Sequence, residues 1–197
     1  MWDERYASDD AVYGTEPNAF VREVADQIPP GPVLCLAEGQ GRNAVYLAGL
    51  GHEVLAVDQS AVGLRRAREL ALSHGVVIRT EVVDLAAFDI QPLVWSGIVA
   101  TYTHLPSELR RQVFAAAVRG LRPGGVFVLE AFSARQLGRS SGGPSSVDLL
   151  MTLSQLGAEL AGLDLVLARE LDRMLNEGLH HQGMAAVVQV LGRKPAL

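Results

Sequence analysis

Short apolar runs rich in β-branched residues alternate along this chain with longer segments in which apolar residues recur every three or four positions. The short runs predict buried strands, and the longer segments predict amphipathic helices. Predicted strands cover residues 33–36, 53–57, 76–83, 96–101 and 126–132, and predicted helices cover 18–28, 42–50, 60–74 and 107–121. Strands that alternate with helices form a mostly parallel sheet with both faces covered.

The last third of the chain has a different pattern. Residues 133–146 are rich in Gly and Ser and have no period, so we expect a mobile loop there. Leucines at 149, 153, 156 and 160 predict a helix. Two further apolar runs, 163–170 and 184–191, have no helical pattern between them and are expected to pair as an antiparallel hairpin.

Together these elements predict an α/β fold, a Rossmann-like doubly wound sheet of seven mostly parallel strands that ends in an antiparallel hairpin. We expect a single domain over residues 1–197. Its parts are a helical cap (1–30), a ligand-binding core (31–132), the mobile loop (133–146), and the helix with the hairpin (147–197). In open α/β sheets the ligand lies outside the carboxyl ends of the strands, so candidate chemistry is sought there.

Composition narrows the class of protein. The chain has 197 residues, of which 49% are apolar, and a net charge of −5, which argues against binding to nucleic acid or anionic lipid through charge alone. One cysteine excludes a disulfide framework, and the single lysine, Lys194, is a poor candidate for Schiff-base chemistry. No apolar run is long enough to span a membrane and the first residues are too polar for a signal peptide, so we expect a cytoplasmic protein.

A glycine-containing turn follows the first strand. It reads Ala37-Glu38-Gly39-Gln40-Gly41, and the two glycines permit a tight turn and a close approach of a ligand to the backbone. G-x-G-x-x-A also matches a dinucleotide fingerprint, with Asp58 near the expected ribose position. The motif alone is weak, and a strand-to-helix turn without a ligand is the alternative.

The charge of Glu38 favours one kind of ligand over another. A diphosphate would lie on the N-terminus of the following helix, where a carboxylate ~4 Å away costs on the order of 4 kcal/mol at an effective dielectric of ~20. The same carboxylate suits a ligand with an ammonium and a sulfonium, as in S-adenosylmethionine (SAM). Alternatively, Glu38 is a solvated acid at a helix start.

Two aspartates end neighbouring strands. Asp58 closes the second strand and is placed to accept both ribose hydroxyls; its alternative role, capping the next helix, is already served by Ser60. Asp84 closes the third strand and is expected to accept from an adenine amino group while Leu85 packs against the ring. A simple strand-end turn is the alternative for Asp84.

The ordered motifs resemble those of class I SAM-dependent methyltransferases, most closely the tellurite-resistance and thiopurine type. The residues that carry the resemblance are 33–41, Val57-Asp58, Asp84 and Pro123-Gly124-Gly125, supported by 2–6, 13–18, Gly41-Arg42-Asn43 and His104-Leu105-Pro106. The chain departs from the family at Cys35, usually an acid, and at Ala37, usually a glycine. We therefore expect Glu38 to replace the missing acid as acceptor for the ammonium group, and Cys35 to be a small buried apolar residue.

The resemblance implies a methyltransferase that converts SAM to S-adenosylhomocysteine. The implied cofactor-binding residues are Ala37, Glu38, Gly39, Gly41, Asn43, Asp58, Gln59, Asp84, Leu85 and Thr101. In the family the N-terminal segment folds over the cofactor, which would place Trp2, Tyr6 and Tyr13 there; plain packing on the helices is the alternative.

Methyl transfer needs a base only when the acceptor must lose a proton. His104 follows the fourth strand and is the candidate base; alternatively it holds its loop through backbone hydrogen bonds. His180 and His181 are expected in the hairpin turn; a direct role at the substrate mouth is the alternative. We expect no metal site, because adjacent histidines in a strand point to opposite faces.

We expect the acceptor to be a small molecule and not nucleic acid or a membrane, because the chain is acidic and lacks an Asn/Asp-Pro-Pro-Tyr signature. The oligomeric state is expected to be a monomer or a homodimer. Two alternatives to the methyltransferase remain at this point: a non-catalytic SAM-binding protein, and an NAD-type Rossmann oxidoreductase.

Overall fold

The structure, a computed structural model, describes residues 2–6, 12–178 and 181–196. Its centre is one sheet of seven strands: β1 (Pro32–Leu36), β2 (Glu53–Asp58), β3 (Arg79–Val82), β4 (Trp95–Thr101), β5 (Leu121–Phe132), β6 (Asp164–Glu177) and β7 (His181–Arg193). The order across the sheet is β3-β2-β1-β4-β5-β7-β6. β7 is antiparallel to both β5 and β6, and the other pairs are parallel, which confirms the predicted fold class.

Helices cover both faces of the sheet. They are α1 (Trp2–Tyr6), α2 (Ala19–Val24), α3 (Arg42–Gly49), α4 (Ala61–Ser73), α5 (Ser107–Gly120) and α6 (Leu153–Glu159). Side chains of a strand alternate between faces, so Val33 and Cys35 of β1 join the core under α2–α4, whereas Leu34 and Leu36 join the core under α5 and α6. No helix in the described ranges is long and apolar enough to cross a membrane.

Strand order reverses between β1 and β4. Chain connections leave β1 toward β2 on one side, and the chain returns to β4 on the other side. The crevice above this reversal, at the carboxyl ends of the parallel strands, is where open α/β sheets bind ligands.

Three predicted elements are shorter than the sequence pattern indicated. The helix predicted over 18–28 ends at Val24 and is followed by a 3₁₀ turn, Ala25–Gln27. β3 begins at Arg79 and not at residue 76, because the amide of Val76 donates to Ala71 O and closes the end of α4. The predicted helix over 149–160 begins at Leu153, since Thr152 and Gln155 form a capping box there. Leu149 instead belongs to a 3₁₀ turn, Val147–Leu149.

The C-terminal hairpin is confirmed and is longer than expected, since β6 ends at Glu177 and β7 begins at His181. His180 lies outside the described residues. The preceding 133–146 segment is anchored at its centre. Buried Gln136 donates to Ser141 Oγ (2.9 Å) and accepts from the amide of Ala186 in β7 (2.8 Å). Mobility of this segment stays a prediction.

Candidate active site

A cavity of about 420 Å³ opens above β1 and β4. Nine of the predicted site residues line it: Ala37, Glu38, Asn43, Asp58, Gln59, Asp84, Leu85, Thr101 and His104. The three N-terminal aromatics, Trp2, Tyr6 and Tyr13, line it as well. Residues far apart in sequence thus meet where the topology places the crevice.

Glu38 is buried at the start of α3, not solvated. Its Oε1 accepts from the amides of Asn43 and Ala44, each at 2.8 Å, so the carboxylate occupies the second and third N–H groups of the helix. Burial raises the pKa of Glu38 to about 7, against the opposing effect of these amides and of Arg42. Both the expected ammonium acceptor and the helix cap are compatible with this position.

Gly39 and Gly41 do not contribute to the described wall of the cavity. Both have positive φ, 61° and 88°, which allows the tight turn. A Cβ on Gly39 would lie 2.6 Å from the Tyr6 hydroxyl, and a Cβ on Gly41 would lie 2.5 Å from the Ala67 Cβ. These glycines are therefore explained by the packing of α1 and α4, and their contact with a cofactor stays a prediction.

Asp58 is held rigidly at the tip of β2. Its Oδ2 accepts from the amide of Gly39 and its Oδ1 from the amide of Ser60, both at 2.8 Å. Ser60 caps α4 as predicted, through a bond from the Gly63 amide, and its hydroxyl donates to Asp3 in α1. A carboxylate has about four acceptor positions, so Asp58 keeps capacity for ligand hydroxyls.

Cys35 and Ala37, the two residues that depart from the family pattern, differ in their structural consequences. Cys35 is fully buried in the core, and burial raises the pKa of its thiol well above the ordinary value, so it is an inert apolar residue as expected. Ala37 has φ 49°, a left-handed conformation that costs a residue with a Cβ roughly 1–2 kcal/mol. The family's usual glycine would relieve this strain.

Asp84 and Leu85 lie at the open side of the cavity. Asp84 is exposed, and its Oδ1 accepts from the amide of Ala86 (2.9 Å), a strand-end turn. Val83 and Leu85 add apolar surface on either side of it. This edge suits a flat heterocycle with an amino group.

A buried polar network supports the opposite side. Glu130 of β5 is fully buried and accepts from Asn18 Nδ2 (2.7 Å), from the Tyr102 hydroxyl (2.6 Å), from Arg173 and from Gln189. The side chain of Asn18 caps α2, as predicted. Burial, and then the nearby Glu130 and Glu177, raises the pKa of the Tyr102 phenol well above its ordinary value, so this hydroxyl remains a donor.

Aromatic rings form the wall above this network. The His104 ring stacks on Phe132 with centroids 5.9 Å apart, and the Tyr102 ring lies 4.8 Å from Phe132. The His181 ring lies 4.4 Å from Tyr102 and 4.7 Å from Tyr13. His104 and His181 therefore share one aromatic-walled half of the cavity.

Comparisons with known proteins agree with this geometry. Residues 33–125 match the family model described as a methyltransferase domain. These 93 residues, just under half of the chain, are similar to methyltransferase domains. The prediction from the ordered motifs is confirmed, and the methyl donor that such a domain implies is SAM.

Individual relatives of the methyltransferase domain are distant. The chain is 31% identical over 108 residues to the tRNA 5-carboxymethoxyuridine methyltransferase of Escherichia coli, which covers 53% of this chain and 41% of that protein. It thus spans about two fifths of the length of that relative. TehB from Haemophilus influenzae superposes with a TM-score of 0.76 at 21% identity, covering 98% of this chain and 65% of that one.

A second solved structure superposes with a TM-score of 0.73 at 20% identity. Its description is "Conversion of a Disulfide Bond into a Thioacetal Group during Echinomycin Biosynthesis". It covers 98% of this chain and 91% of that one. At these identities the two structures bear on the fold of the methyltransferase domain alone.

The residues that line the methyltransferase cavity fit SAM. Asp58, Asp84 and Glu38, which were predicted to hold the ribose, the adenine and the ammonium group, all line it, and their contacts with SAM stay predictions. Two of the first three amides of α3, which would hold a diphosphate, are already bonded to Glu38.

Sequence reasoning missed several cavity residues of the methyltransferase domain, including Arg42, Leu109 and Leu149. Arg42 donates to Glu177 Oε2 (2.8 Å) and to Tyr13 O (3.1 Å), and so joins α3 to the hairpin and to the N-terminal segment. No local pattern signals that pair, because 135 positions separate Arg42 from Glu177.

Proposed function

We propose that this protein is a SAM-dependent methyltransferase that methylates a small molecule. The observation that carries the proposal is the Glu38 carboxylate on the first amides of α3, 2.8 Å from the nitrogens of both Asn43 and Ala44. A ligand with an ammonium and a sulfonium gains from this charge, whereas a diphosphate is repelled and finds the amides taken. The NAD-type alternative loses support for this reason.

The residues of the chain have separate tasks in the proposed reaction. SAM, when bound, supplies an electrophilic methyl group. Glu38 holds the ammonium group of the donor and Asp58 holds its ribose. The aromatic half of the cavity orients the acceptor and excludes water. Orientation of two reactants contributes up to ~7–11 kcal/mol, so positioning is the main part of the proposed catalysis.

Cavity size and surface charge support a small acceptor. The volume of about 420 Å³ is at the low end for a site that holds one drug-sized ligand, so SAM leaves room only for a compact partner. The E. coli relative acts on tRNA by its name, but the net charge of −5 here offers little attraction for a phosphate backbone. The acceptor screen should therefore include a tRNA pool for comparison with the small-molecule acceptors.

His104 lines the acceptor half of the cavity and remains the candidate base from the sequence. Replacing His104 by Ala is expected to lower turnover of an acceptor that must lose a proton, without weakening SAM binding. Unaltered turnover with an identified acceptor would remove His104 from this role.

Thermal shift with SAM, S-adenosylhomocysteine and NAD, measured side by side, tests the ligand. At ~100 times its dissociation constant a ligand stabilises the folded protein by about 2.7 kcal/mol. We expect stabilisation by the first two compounds and none by NAD; the reverse pattern would refute the proposal. A screen with thiols, phenols, amines and tRNA then separates an enzyme from a non-catalytic SAM-binding protein.

A further inference from the structure

A second histidine lies in the acceptor half of the cavity. Resting on the proposed function, we infer that His181, oriented by Glu177, accepts the proton of an uncharged acceptor that carries a thiol or hydroxyl group on an aromatic body. His181 begins β7, is 4% exposed and lines the cavity. From the sequence, His181 was expected in the hairpin turn, with a reach to the substrate mouth as the alternative, and no catalytic step was assigned to it.

The ring of His181 is fixed on several sides. It lies between Tyr13 and Tyr102, with centroids at 4.7 and 4.4 Å, and meets Phe132 edge-on at 5.3 Å. Its Nδ1 is buried without a hydrogen-bond partner among the described residues, and Glu177 Oε2 lies 3.9 Å away. A carboxylate at one nitrogen of a ring that lines a cavity is the arrangement of a base and its positioning residue.

Glu177 is kept negatively charged. Burial alone would raise its pKa, but the neighbouring His181, Arg42 and Arg173 outweigh burial and lower the pKa to about 2. Arg42 and Arg173 bind its two oxygens at 2.8 and 3.0 Å. Glu177 is thus ionised at neutral pH and stabilises a positive charge on His181.

The proton moves directly from the acceptor to the imidazole of His181. The acceptor's S–H or O–H bond breaks, its electron pair stays on sulfur or oxygen, and the proton forms an N–H bond on the neutral imidazole. The resulting imidazolium faces Glu177, while the acceptor becomes the anion that attacks. His104, stacked on Phe132, then orients the acceptor from the other side.

The class of acceptor follows from the charges on the wall. Arg42 is the only lysine or arginine among the described residues that line the cavity, and it is already bonded to Glu177 and Tyr13 O. An acceptor with a carboxylate or phosphate would lack a counter-ion there. Aromatic and apolar side chains that can contact an aromatic acceptor are also part of the wall: Tyr13, Tyr102, Leu105, Leu109 and Leu149.

Several charged groups act on the titration of His181. Burial lowers its pKa below the ordinary value; Glu177 from β6 and Glu130 from β5 oppose this, and Arg42 from α3 reinforces it. Tyr13 and Tyr102, the other titratable groups that contact its ring, are phenols. Removing the charge of Glu177 is therefore expected to lower the pKa of His181 further.

The test uses para-nitrophenol as the probe, because its anion absorbs visible light. The probe is bound to the full chain in the presence of S-adenosylhomocysteine, at a pH near the pKa of the probe itself. In the wild type we expect a ratio of bound anion to bound neutral probe about ten times that in His181→Gln, which corresponds to ~1.4 kcal/mol. Loss of the anion band in His104→Gln in place of His181→Gln would assign the proton to His104 and overturn the inference. His74→Gln, on the exposed end of α4, is the matched control.

NMR of the histidine rings gives an independent readout that does not need an acceptor. We expect Glu177→Gln to lower the pKa of His181. An unchanged His181 pKa, an equal anion fraction in His181→Gln, or failure of the wild type to bind the probe would overturn the inference. Failure of S-adenosylhomocysteine to stabilise the wild type would instead count against the proposed function.

Discussion

Replacing Glu38 by Gln is expected to stabilise the ligand-free protein in a pH-dependent way. Glu38 is 8% exposed, and burial raises its pKa from 4.5 to about 7. The Glu38 carboxyl group therefore holds its proton more tightly in the folded state than in the unfolded state. The contribution of Glu38 to stability is present below pH 4.5 and is lost as the pH rises toward 7.

The size of the effect follows from the two pKa values. The difference between about 7 and 4.5, at ~1.4 kcal/mol per pKa unit, gives about 3 kcal/mol of lost stability at pH 8. At pH 5 the same linkage predicts a smaller loss of stability, about 1 kcal/mol. The glutamine oxygen still accepts from the amides of Asn43 and Ala44, so the variant removes the charge and keeps the cap.

Urea denaturation at pH 8 and pH 5, without ligand, measures this difference. Glu38→Gln is expected to exceed the wild type by about 3 kcal/mol at pH 8, or ~6–12 °C in Tm, and by about 1 kcal/mol at pH 5. Glu53→Gln, at an exposed position in β2, is the control and is expected to show no such change. Equal stabilities at pH 8, or a gap that does not vary with pH, would refute the reasoning.

Three further predictions concern binding and packing. Asp58→Asn is expected to weaken S-adenosylhomocysteine about 10–100-fold in calorimetry, because bonds to a charged acceptor contribute ~1.5–3 kcal/mol; unchanged affinity would remove Asp58 from the ribose site. Gly41→Ala is expected to cost about 2–3 kcal/mol of unfolding free energy through left-handed strain and the clash with α4, whereas Gly75→Ala, in open space, costs only the strain of ~1 kcal/mol. Glu159→Gln leaves buried Arg110, bonded to it twice at 2.8 Å, without its counter-charge, and a loss of about 3–5 kcal/mol in chemical denaturation is expected; a loss below 1 kcal/mol would contradict this.

The centre of the sheet was predictable because the parallel strands β1 and β4 are buried on both faces and read as short apolar runs. The limits of β3 and α6 were not, because they depend on competing local hydrogen bonds. Val76 has an apolar side chain but its amide closes α4, and Thr152 begins a helix that the leucine spacing alone would begin at Leu149.

The donor side of the site was largely predictable, because its residues follow strand ends that the topology brings together. Asp58 and Glu38 are examples, and both line the cavity. The acceptor side was not, because its contacts join residues far apart in sequence. Asn18 and Glu130, for example, are bonded across 112 positions, and no local period encodes such a pair.

The central claim is that carboxylates at the tips of β1 and β2 hold a positively charged nucleoside, and a structure of the complex with SAM tests it most directly. We predict the ribose hydroxyls on Asp58, the ammonium group within hydrogen-bond distance of Glu38, and the Glu38 bonds to α3 intact. An ammonium group bound elsewhere with the ribose away from Asp58, or a diphosphate on the first amides of α3 after soaking with NAD, would contradict the account.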